Sequence, residues 1–244
     1  MISRVVFISG GSGSIGREVV RELAASGYVV HFQYESQMEA AEILAHETGA
    51  MPHRIDFKEP VWNAPKLAVD ILVNCVGINI SSEKFLEVSE EDWQLTMKIN
   101  LEAPKFLIQN YLPGMIERRW GRIVNVGSIY SVKGSSNNSP YNSSKHALSG
   151  LTKSLAKEYA EYGVATSEVL PGATESDLMN RIAIAKSSEI GLSAEGYLEM
   201  VRDSSPNHLM ALPGDIARTV QFLIDDESLH LNGSTITVDG GLTC

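Results

Sequence analysis

Apolar stretches of strand length alternate with segments of helical periodicity along most of the chain. Residues 4–9 read RVVFIS, a continuous apolar run typical of a strand that is covered on both faces. The alternation predicts strands at residues 4–9, 28–33, 50–55, 69–74, 122–126, 164–170 and 234–238. It predicts helices at residues 15–26, 37–47, 89–118, 141–162 and 213–226, with Pro104 as a candidate break in the third of these.

Strands that alternate with helices pair in parallel through right-handed crossovers. We therefore expect a single Rossmann-type α/β domain over residues 1–244, a doubly wound parallel sheet of about seven strands with helices on both faces. The crossover between the third and fourth strands is short and contains Pro60 and Pro65, so its helix is expected to be truncated. Residues 173–206, the lid segment below, form a long stretch with weak helical pattern, which favours a substrate lid over a mobile surface excursion.

Composition removes several function classes. The 244 residues carry a formal charge of −10, which repels nucleic acid and anionic lipid surfaces. No apolar run is long enough to span a bilayer, and the first strand begins too early for a signal peptide. Two cysteines cannot form a disulfide framework, and the six histidines show no metal-ligand spacing. We expect a cytoplasmic protein without a metal site.

A glycine-rich turn joins the first strand to the first helix. Residues 9–16 read SGGSGSIG, and Gly11, Gly13 and Gly16 satisfy the spacing GxGxxG. Glycines at such a turn let the backbone approach a pyrophosphate at the positive end of a helix. The string lacks the GK[ST] ending of a nucleotide triphosphatase loop, so a dinucleotide is the favoured ligand.

An acidic residue about 20 positions after such a turn binds the ribose hydroxyls of NAD. Glu35 lies at this distance, just past the second strand, and no arginine or lysine occurs between Tyr28 and Gln37 to neutralise a 2′-phosphate. The sequence therefore leaves NAD or NADP open with a weak preference for NAD. A solvated loop glutamate is the alternative interpretation of Glu35.

Tyr141 and Lys145 are four residues apart at the start of a helix, so both project from one face. An ammonium beside a phenol lowers the pKa of the phenol and makes it a usable general acid or base. Ser128 follows a buried strand and is expected at the same sheet edge, where its hydroxyl can polarise a carbonyl oxygen. Spacing alone leaves a plain surface pair as the alternative.

Several motifs together resemble the short-chain dehydrogenase/reductase family, from Val5 to Gly241. Residues 9–16 resemble its TGxxxGxG turn, residues 74–77 (NCVG) its NNAG segment, residues 171–172 its PG motif and residues 238–241 its VDGG ending. Asn100, Ser128, Tyr141 and Lys145 match its catalytic tetrad in order and spacing. Within the family the likeness is greatest to 3-oxoacyl-acyl-carrier-protein reductases.

The resemblance implies roles for these residues. Tyr141 would be the acid/base, Ser128 the carbonyl polariser, and Lys145 the residue that binds the nicotinamide ribose. Asn100 would hold a helix kink and a water of the proton relay. The implied cofactor-binding set is Gly10, Ser12, Ser14, Ile15, Gly16, Glu35, Asp56, Phe57, Asn74, Val76, Gly77, Tyr141, Lys145, Pro171, Gly172 and Thr174.

The chain departs from the family pattern at two of these motifs. Ser14 stands where the middle glycine of the turn belongs, so either the loop shifts to use Gly13 or cofactor affinity drops. Cys75 and Val76 replace the Asn and Ala of NNAG, which calls into question a hydrogen bond that stabilises the central sheet.

The implied activity is NAD(P)-dependent interconversion of a ketone and a secondary alcohol, most like that of a 3-oxoacyl-thioester reductase. Arg118, Arg119 and Arg122 form a basic cluster that suits an acidic carrier protein, or merely a helix end that favours cations. The polar loop before Tyr141 suits the alternative of a small hydroxyacid or polyol dehydrogenase. A catalytically idle dinucleotide-binding protein, or a subunit whose fold serves mainly as an interface, is a further alternative. Family members pair through two long helices, so a homodimer or homotetramer is expected.

Overall fold

The computed structural model describes residues 4–80 and 83–244. Its strands are β1 (Val5–Ser9), β2 (Val29–Tyr34), β3 (Met51–Arg54), β4 (Ile71–Asn74), β5 (Gly121–Val126), β6 (Val164–Pro171) and β7 (Thr235–Val238). Its helices are α1 (Ser14–Ala25), α2 (Met38–Thr48), α3 (Glu90–Met97), α4 (Ala103–Arg118), α5 (Ser139–Tyr159), α6 (Asp177–Ser187), α7 (Ala194–Asp203) and α8 (Pro213–Asp225).

All seven strands run parallel in one sheet, in the order 3-2-1-4-5-6-7. The order reverses between β1 and β4, which is the point where open α/β sheets bind ligands at the carboxyl ends of their strands. The predicted doubly wound sheet is therefore confirmed.

The alternation of side chains along β1 divides the core into two layers. Val6 and Ile8 pack with α1, α2 and α8 on one face, and Phe7 packs with α4 and α5 on the other. Both layers are fully buried apolar clusters, as expected for parallel strands that are covered on both sides. This rigid sheet fixes the positions of the loops that leave its carboxyl edge.

The sequence predicts a truncated helix in the crossover from β3 to β4. In the structure, residues 55–70 form no helix at all. Trp62 packs edge-on against Phe57 and Phe106, with ring centroids 5.4 Å apart in each case. Lys98 donates hydrogen bonds to the main-chain carbonyls of Lys58 and Glu59. An aromatic cluster thus covers the sheet where the helix would lie.

The break predicted at Pro104 is instead a wide helical turn, Lys98–Glu102, that joins α3 to α4 without ending the helix. Pro104 has no N–H to donate to the carbonyl of Asn100, four residues earlier, so regular α-helical bonding fails at this turn. Asn100 is buried within it.

The lid segment is more regular than its sequence pattern indicates, since it contains α6 and α7. Ser176 caps α6 by accepting a hydrogen bond from Met179 N, and Ser193 caps α7 by accepting one from Gly196 N. These caps explain why weak apolar periodicity still gives two helices. In the described part of the chain, no helix has the length and apolar character needed to cross a membrane.

Candidate active site

Three glycines of the glycine-rich turn leave no room for a side chain. A Cβ at Gly11 would lie 2.6 Å from Phe32 Cβ. Gly10 has a φ of +67°, and a Cβ there would lie 2.8 Å from Val76 N. A Cβ at Gly16 would collide with the carbonyl oxygen of Gly10. Gly13 is the N-cap residue of α1 and supplies no capping side chain, so the amides of the first turn have no side-chain acceptor. Ser12 and Ile15 lie half-buried in the same turn.

Ser14 occupies the first position of α1, and its side chain is bonded to the lid segment. Its Oγ donates to Asp177 Oδ2 (3.0 Å) and accepts from Asp177 N (3.1 Å). Arg17 lies 3.9 Å from the same carboxylate. The hydroxyl that replaces the family glycine therefore links the start of α1 to the start of α6.

Beside the ends of β2 and β3, the structure brings together residues that are distant in sequence. Glu35 forms an ion pair with Lys58 (2.6 Å), which raises the pKa of Lys58. Asp56 is half-exposed beside them, and its carboxylate accepts a hydrogen bond from Lys58 N. The side chain of Phe57 is buried in the core, so only its backbone faces this region. Lys58 thus places a cation beside Glu35, although no arginine or lysine occurs between Tyr28 and Gln37.

Asn74 is completely buried and joins three strands. Its Oδ1 accepts from Ser9 Oγ (3.3 Å), and its Nδ2 donates to Asn125 Oδ1 (2.8 Å). Asn125 in turn donates to Thr152 on α5 (2.9 Å). The central sheet therefore keeps a stabilising amide network despite Cys75 and Val76. The side chain of Asn74 serves the sheet rather than the turn.

Ser128 and Tyr141 face each other at the carboxyl end of β5. Ser128 caps the short 3-10 turn Ile129–Ser131, and Tyr141 lies in the first turn of α5. Burial raises the pKa of Tyr141 to about 12, and the hydrogen bond with Ser128 opposes this increase. Burial therefore holds the pKa of this phenol above its ordinary value, and the expected lowering by Lys145 stays a prediction. Tyr141 is therefore protonated at neutral pH.

Lys145 lies on the face of α5 that also carries Tyr141. Its Nζ donates to the carbonyl of Val126 (3.0 Å) and lies 5.7 Å from the centre of the tyrosine ring. Burial lowers its pKa to about 8. The backbone at Gly77 passes close by, since a Cβ there would lie 3.3 Å from the lysine Nζ.

Asn100 holds the loop after β4 against α5. Its Oδ1 accepts from Ile78 N (2.8 Å), and its Nδ2 donates to Ile78 O (2.9 Å) and Ser144 Oγ (3.0 Å). A Cβ at Gly77 would lie 3.6 Å from Asn100 Oδ1. The four predicted tetrad residues thus converge on one edge of the sheet.

The end of β6 completes this edge. Pro171 is the last residue of the strand, and Gly172 N donates to Val238 O (2.9 Å). A Cβ at Gly172 would lie 2.7 Å from the Asp239 Cβ, which explains the glycine. Thr174 is buried, and its hydroxyl donates to Gly172 O (3.1 Å), so this side chain is committed to its own turn.

The three arginines predicted as a basic docking cluster lie at the opposite edge of the sheet and are used within the fold. Arg122 is 2% exposed and donates to the carbonyl of Asp226. Arg118 pairs with Asp70 (3.0 Å), and Arg119 donates to the carbonyl of Glu161 (2.7 Å). Arg122 is therefore buried, whereas Arg118 and Arg119 remain exposed, with the charge of Arg118 balanced by Asp70. Among residues 4–80 and 83–244, no cluster of His, Cys, Asp and Glu has the geometry to hold a metal ion.

Comparisons with known proteins agree with this geometry. Residues 4–186 match the short chain dehydrogenase family. A 3-oxoacyl-acyl-carrier-protein reductase of Aquifex aeolicus is 32% identical, with 98% of this chain and 97% of the relative covered. An acetoacetyl-CoA reductase of Shinella zoogloeoides is 30% identical, with 98% of each covered.

Among solved structures, a variant of actinorhodin polyketide ketoreductase with NADPH superposes with a TM-score of 0.90. It is 25% identical, with 98% of this chain and 97% of that chain covered. These similarities agree with the sheet order, the glycine-rich turn and the Ser-Tyr-Lys arrangement. The chain therefore belongs to the short-chain dehydrogenase/reductase family, whose members are NAD(P)-dependent oxidoreductases that interconvert ketones and alcohols.

Proposed function

We propose that this protein reduces the ketone of a small 3-oxoacyl thioester to a secondary alcohol. The observation that carries the proposal is that Tyr141 lies beside both Ser128 and Lys145 at the carboxyl edge of the sheet. A phenol in this position can give its proton to a carbonyl oxygen, which is the step that reduction of a ketone requires. The similar acetoacetyl-CoA reductase supports a thioester substrate.

Each residue of the tetrad has a distinct proposed role. Tyr141 donates the proton, and the Ser128 hydroxyl donates a hydrogen bond to the same carbonyl oxygen as negative charge develops there. The Lys145 ammonium stabilises the phenolate that remains after proton transfer. Asn100 acts indirectly, because its amide holds the loop at Ile78 and the helix α5 together.

A nicotinamide dinucleotide fits the residues that are present. The turn at Gly10 and Gly16 leaves bare backbone, and the uncapped amides at the start of α1 suit a pyrophosphate. Glu35, Asp56, Gly77, Lys145 and the backbone after Pro171 would hold the remaining parts. When bound, the reduced nicotinamide supplies the hydride for the carbonyl carbon.

The cofactor preference is proposed to be a weak one for NADH. Glu35 repels a 2′-phosphate, while Lys58 attracts it, and their ion pair leaves little net charge at the ribose. Because both side chains are about half exposed, each contributes modestly.

A free thioester is the proposed substrate rather than a carrier-bound one, since Arg122 is buried and the charge of Arg118 is balanced by Asp70, which weakens the cluster as a docking site for an acidic carrier. The polar loop before Tyr141 does not favour a polyol, because Ser135 is bonded to Asn142. Residues 173–206 are proposed to close over the substrate.

We further propose a homodimer or homotetramer that acts in the cytoplasm. Its free cysteines, Cys75 and Cys244, suit a reducing compartment. Sedimentation velocity tests the assembly, and a monomer at micromolar concentration would contradict it.

The activity is tested by following oxidation of NADH and of NADPH, separately, with acetoacetyl-coenzyme A. The wild type should turn over, and Tyr141→Phe should lower kcat by at least about 100-fold, because general acid catalysis contributes that much. Tyr28→Phe is the matched control. Tyr28 lies just before β2, at the opposite edge of the sheet, where its hydroxyl donates a hydrogen bond to Asp225. Equal activity of Tyr141→Phe and wild type would overturn the proposal.

A further inference from the structure

A carboxylate lies buried behind the active site without a role in the proposed chemistry. Glu168 is in β6 and is 0% exposed. Residues of its own strand on either side are also buried, and its neighbours Val169 and Leu170 are apolar. A carboxylate at such a position costs free energy unless it is compensated, and an apolar side chain would avoid that cost.

One oxygen of this carboxylate is connected to the catalytic serine. The hydroxyl of Ser131 donates to Glu168 Oε1 (3.0 Å) and accepts from Ser128 N (3.3 Å). The carbonyl of Ser128 accepts in turn from Ser131 N (2.7 Å). Glu168 therefore orients the hydroxyl that accepts from the Ser128 amide, while the backbone amide of Ser131 holds the Ser128 carbonyl.

The main chain around the serine is shaped to this carboxylate. A Cβ at Gly127 would collide with Glu168 Oε1 and lie 2.8 Å from Ser131 Oγ. Glycine at this position, directly before Ser128, leaves the space that the carboxylate occupies. Glu168 of β6 therefore packs directly against Gly127 and Ser131, in the loop that carries Ser128.

The carboxyl also faces the hydroxyl of Ser149 on α5, and hydrogen bonding from Ser149 and Ser131 lowers the pKa of Glu168 against the effect of burial. The cations that face this carboxyl are Lys145 and Lys153, both from α5. Lys145 Nζ donates to the carbonyl of Val126 (3.0 Å), and Glu168 Oε1 lies against Gly127, the next residue, so the two groups approach the same piece of main chain. The negative charge of Glu168 raises the pKa of Lys145 against the effect of burial, as does Cys75 from the loop after β4. Burial in turn raises the pKa of Glu168.

We propose that Glu168 is a positioning residue of the active site, which fixes Ser128 through Ser131 and places a negative charge near Lys145. The assignment rests on the proposed reductase function, in which both Ser128 and Lys145 take part. It explains why a buried carboxylate is kept where an apolar residue would stabilise the fold.

The test uses Glu168→Gln, which keeps the shape of the side chain and an acceptor for Ser131 but removes the charge. Glu42→Gln removes an exposed carboxylate from α2 and is the matched control. The readout is the titration of the Lys145 Cε resonance in protein labelled with 13C-lysine, assigned by its loss in Lys145→Met. This measurement needs neither cofactor nor activity.

In Glu168→Gln the titration midpoint of Lys145 should fall by at least about half a pH unit, since the charge that favours its ammonium is gone. The alkaline limb of the kcat profile should move by the same amount, while Glu42→Gln should leave both unchanged. Ser131→Ala should lower kcat without moving the midpoint, because it removes only the link to Ser128.

An unchanged Lys145 midpoint in folded Glu168→Gln would overturn the proposal. So would a kcat of Ser131→Ala equal to that of wild type. A wild type without reductase activity would refute the proposed function instead, and the shift in the lysine midpoint would still decide the role of the charge.

Discussion

Replacing Ser14 by glycine should loosen the lid segment. Ser14→Gly removes both hydrogen bonds between the Ser14 hydroxyl and Asp177, at 3.0 and 3.1 Å. Each such bond contributes about 0.5–1.5 kcal/mol, and Asp177 is 69% exposed, so together they should contribute about 1–2 kcal/mol. The Arg17 contact at 3.9 Å is exposed and adds little.

This free energy corresponds to an increase of about 5–30-fold in the open population of α6. Amide hydrogen exchange in Asp177–Ser187 should accelerate by the same factor, while exchange in α8 should not change. Asp177→Asn is the matched control, because it keeps an oxygen acceptor and the backbone donor but loses the charge. If α6 exchanges equally fast in Ser14→Gly and wild type, the two hydrogen bonds do not hold the lid segment.

Three further predictions concern the lysines and the sheet. The kcat for reduction should decline as pH rises through about 8, because Lys145 loses its proton there while Tyr141, with a pKa of about 12, stays protonated. Lys145→Arg should abolish this decline, and a flat wild-type profile of kcat against pH would contradict the prediction. Fluorescence titration should show that Lys58→Met weakens NADPH binding by about 2–5-fold more than NADH binding, and that Glu35→Gln has the opposite effect. Equal changes for both cofactors would show that Lys58 and Glu35 do not contact the cofactor ribose. Asn74→Ala should lower the free energy of unfolding in urea by about 1–3 kcal/mol, because Ser9 and Asn125 lose a buried partner, and a smaller loss would mean that the network is dispensable.

The elements that the sequence predicts correctly are those with local signals. Continuous apolar runs mark the strands, and the spacing of Tyr141 and Lys145 needs only one helical turn to bring them together. Order along the chain then places Ser128 at the same edge, since carboxyl ends of parallel strands share one side of a sheet.

What the sequence misses depends on contacts between distant segments. Lys58 meets Glu35 only because β2 and β3 end side by side, and Ser14 meets Asp177 across 163 positions. The two helices of the lid segment depend on serine caps more than on apolar periodicity. All three arginines of the expected docking cluster donate hydrogen bonds to backbone carbonyls of other segments, which no spacing rule indicates.

The pKa of Tyr141 shows the same limit. The spacing to Lys145 predicts that the ammonium lowers this pKa, whereas burial of the phenol, which the spacing does not indicate, raises it. Glu168 is missed for a related reason, since it follows a run of small residues in β6 and only its packing against Gly127 and Ser131 reveals its place.

The central claim is that this protein transfers a hydride to the carbonyl carbon of a 3-oxoacyl thioester while Tyr141 protonates the oxygen. The most direct measurement supplies NADH deuterated at C4, in both stereochemical forms, with acetoacetyl-coenzyme A, and determines the mass of the product. The account predicts a 3-hydroxybutyryl thioester that carries one deuterium from one of the two forms, and at most trace product with Tyr141→Phe. Cofactor oxidation without a labelled hydroxyacyl product, or labelled product at an undiminished rate with Tyr141→Phe, would contradict it.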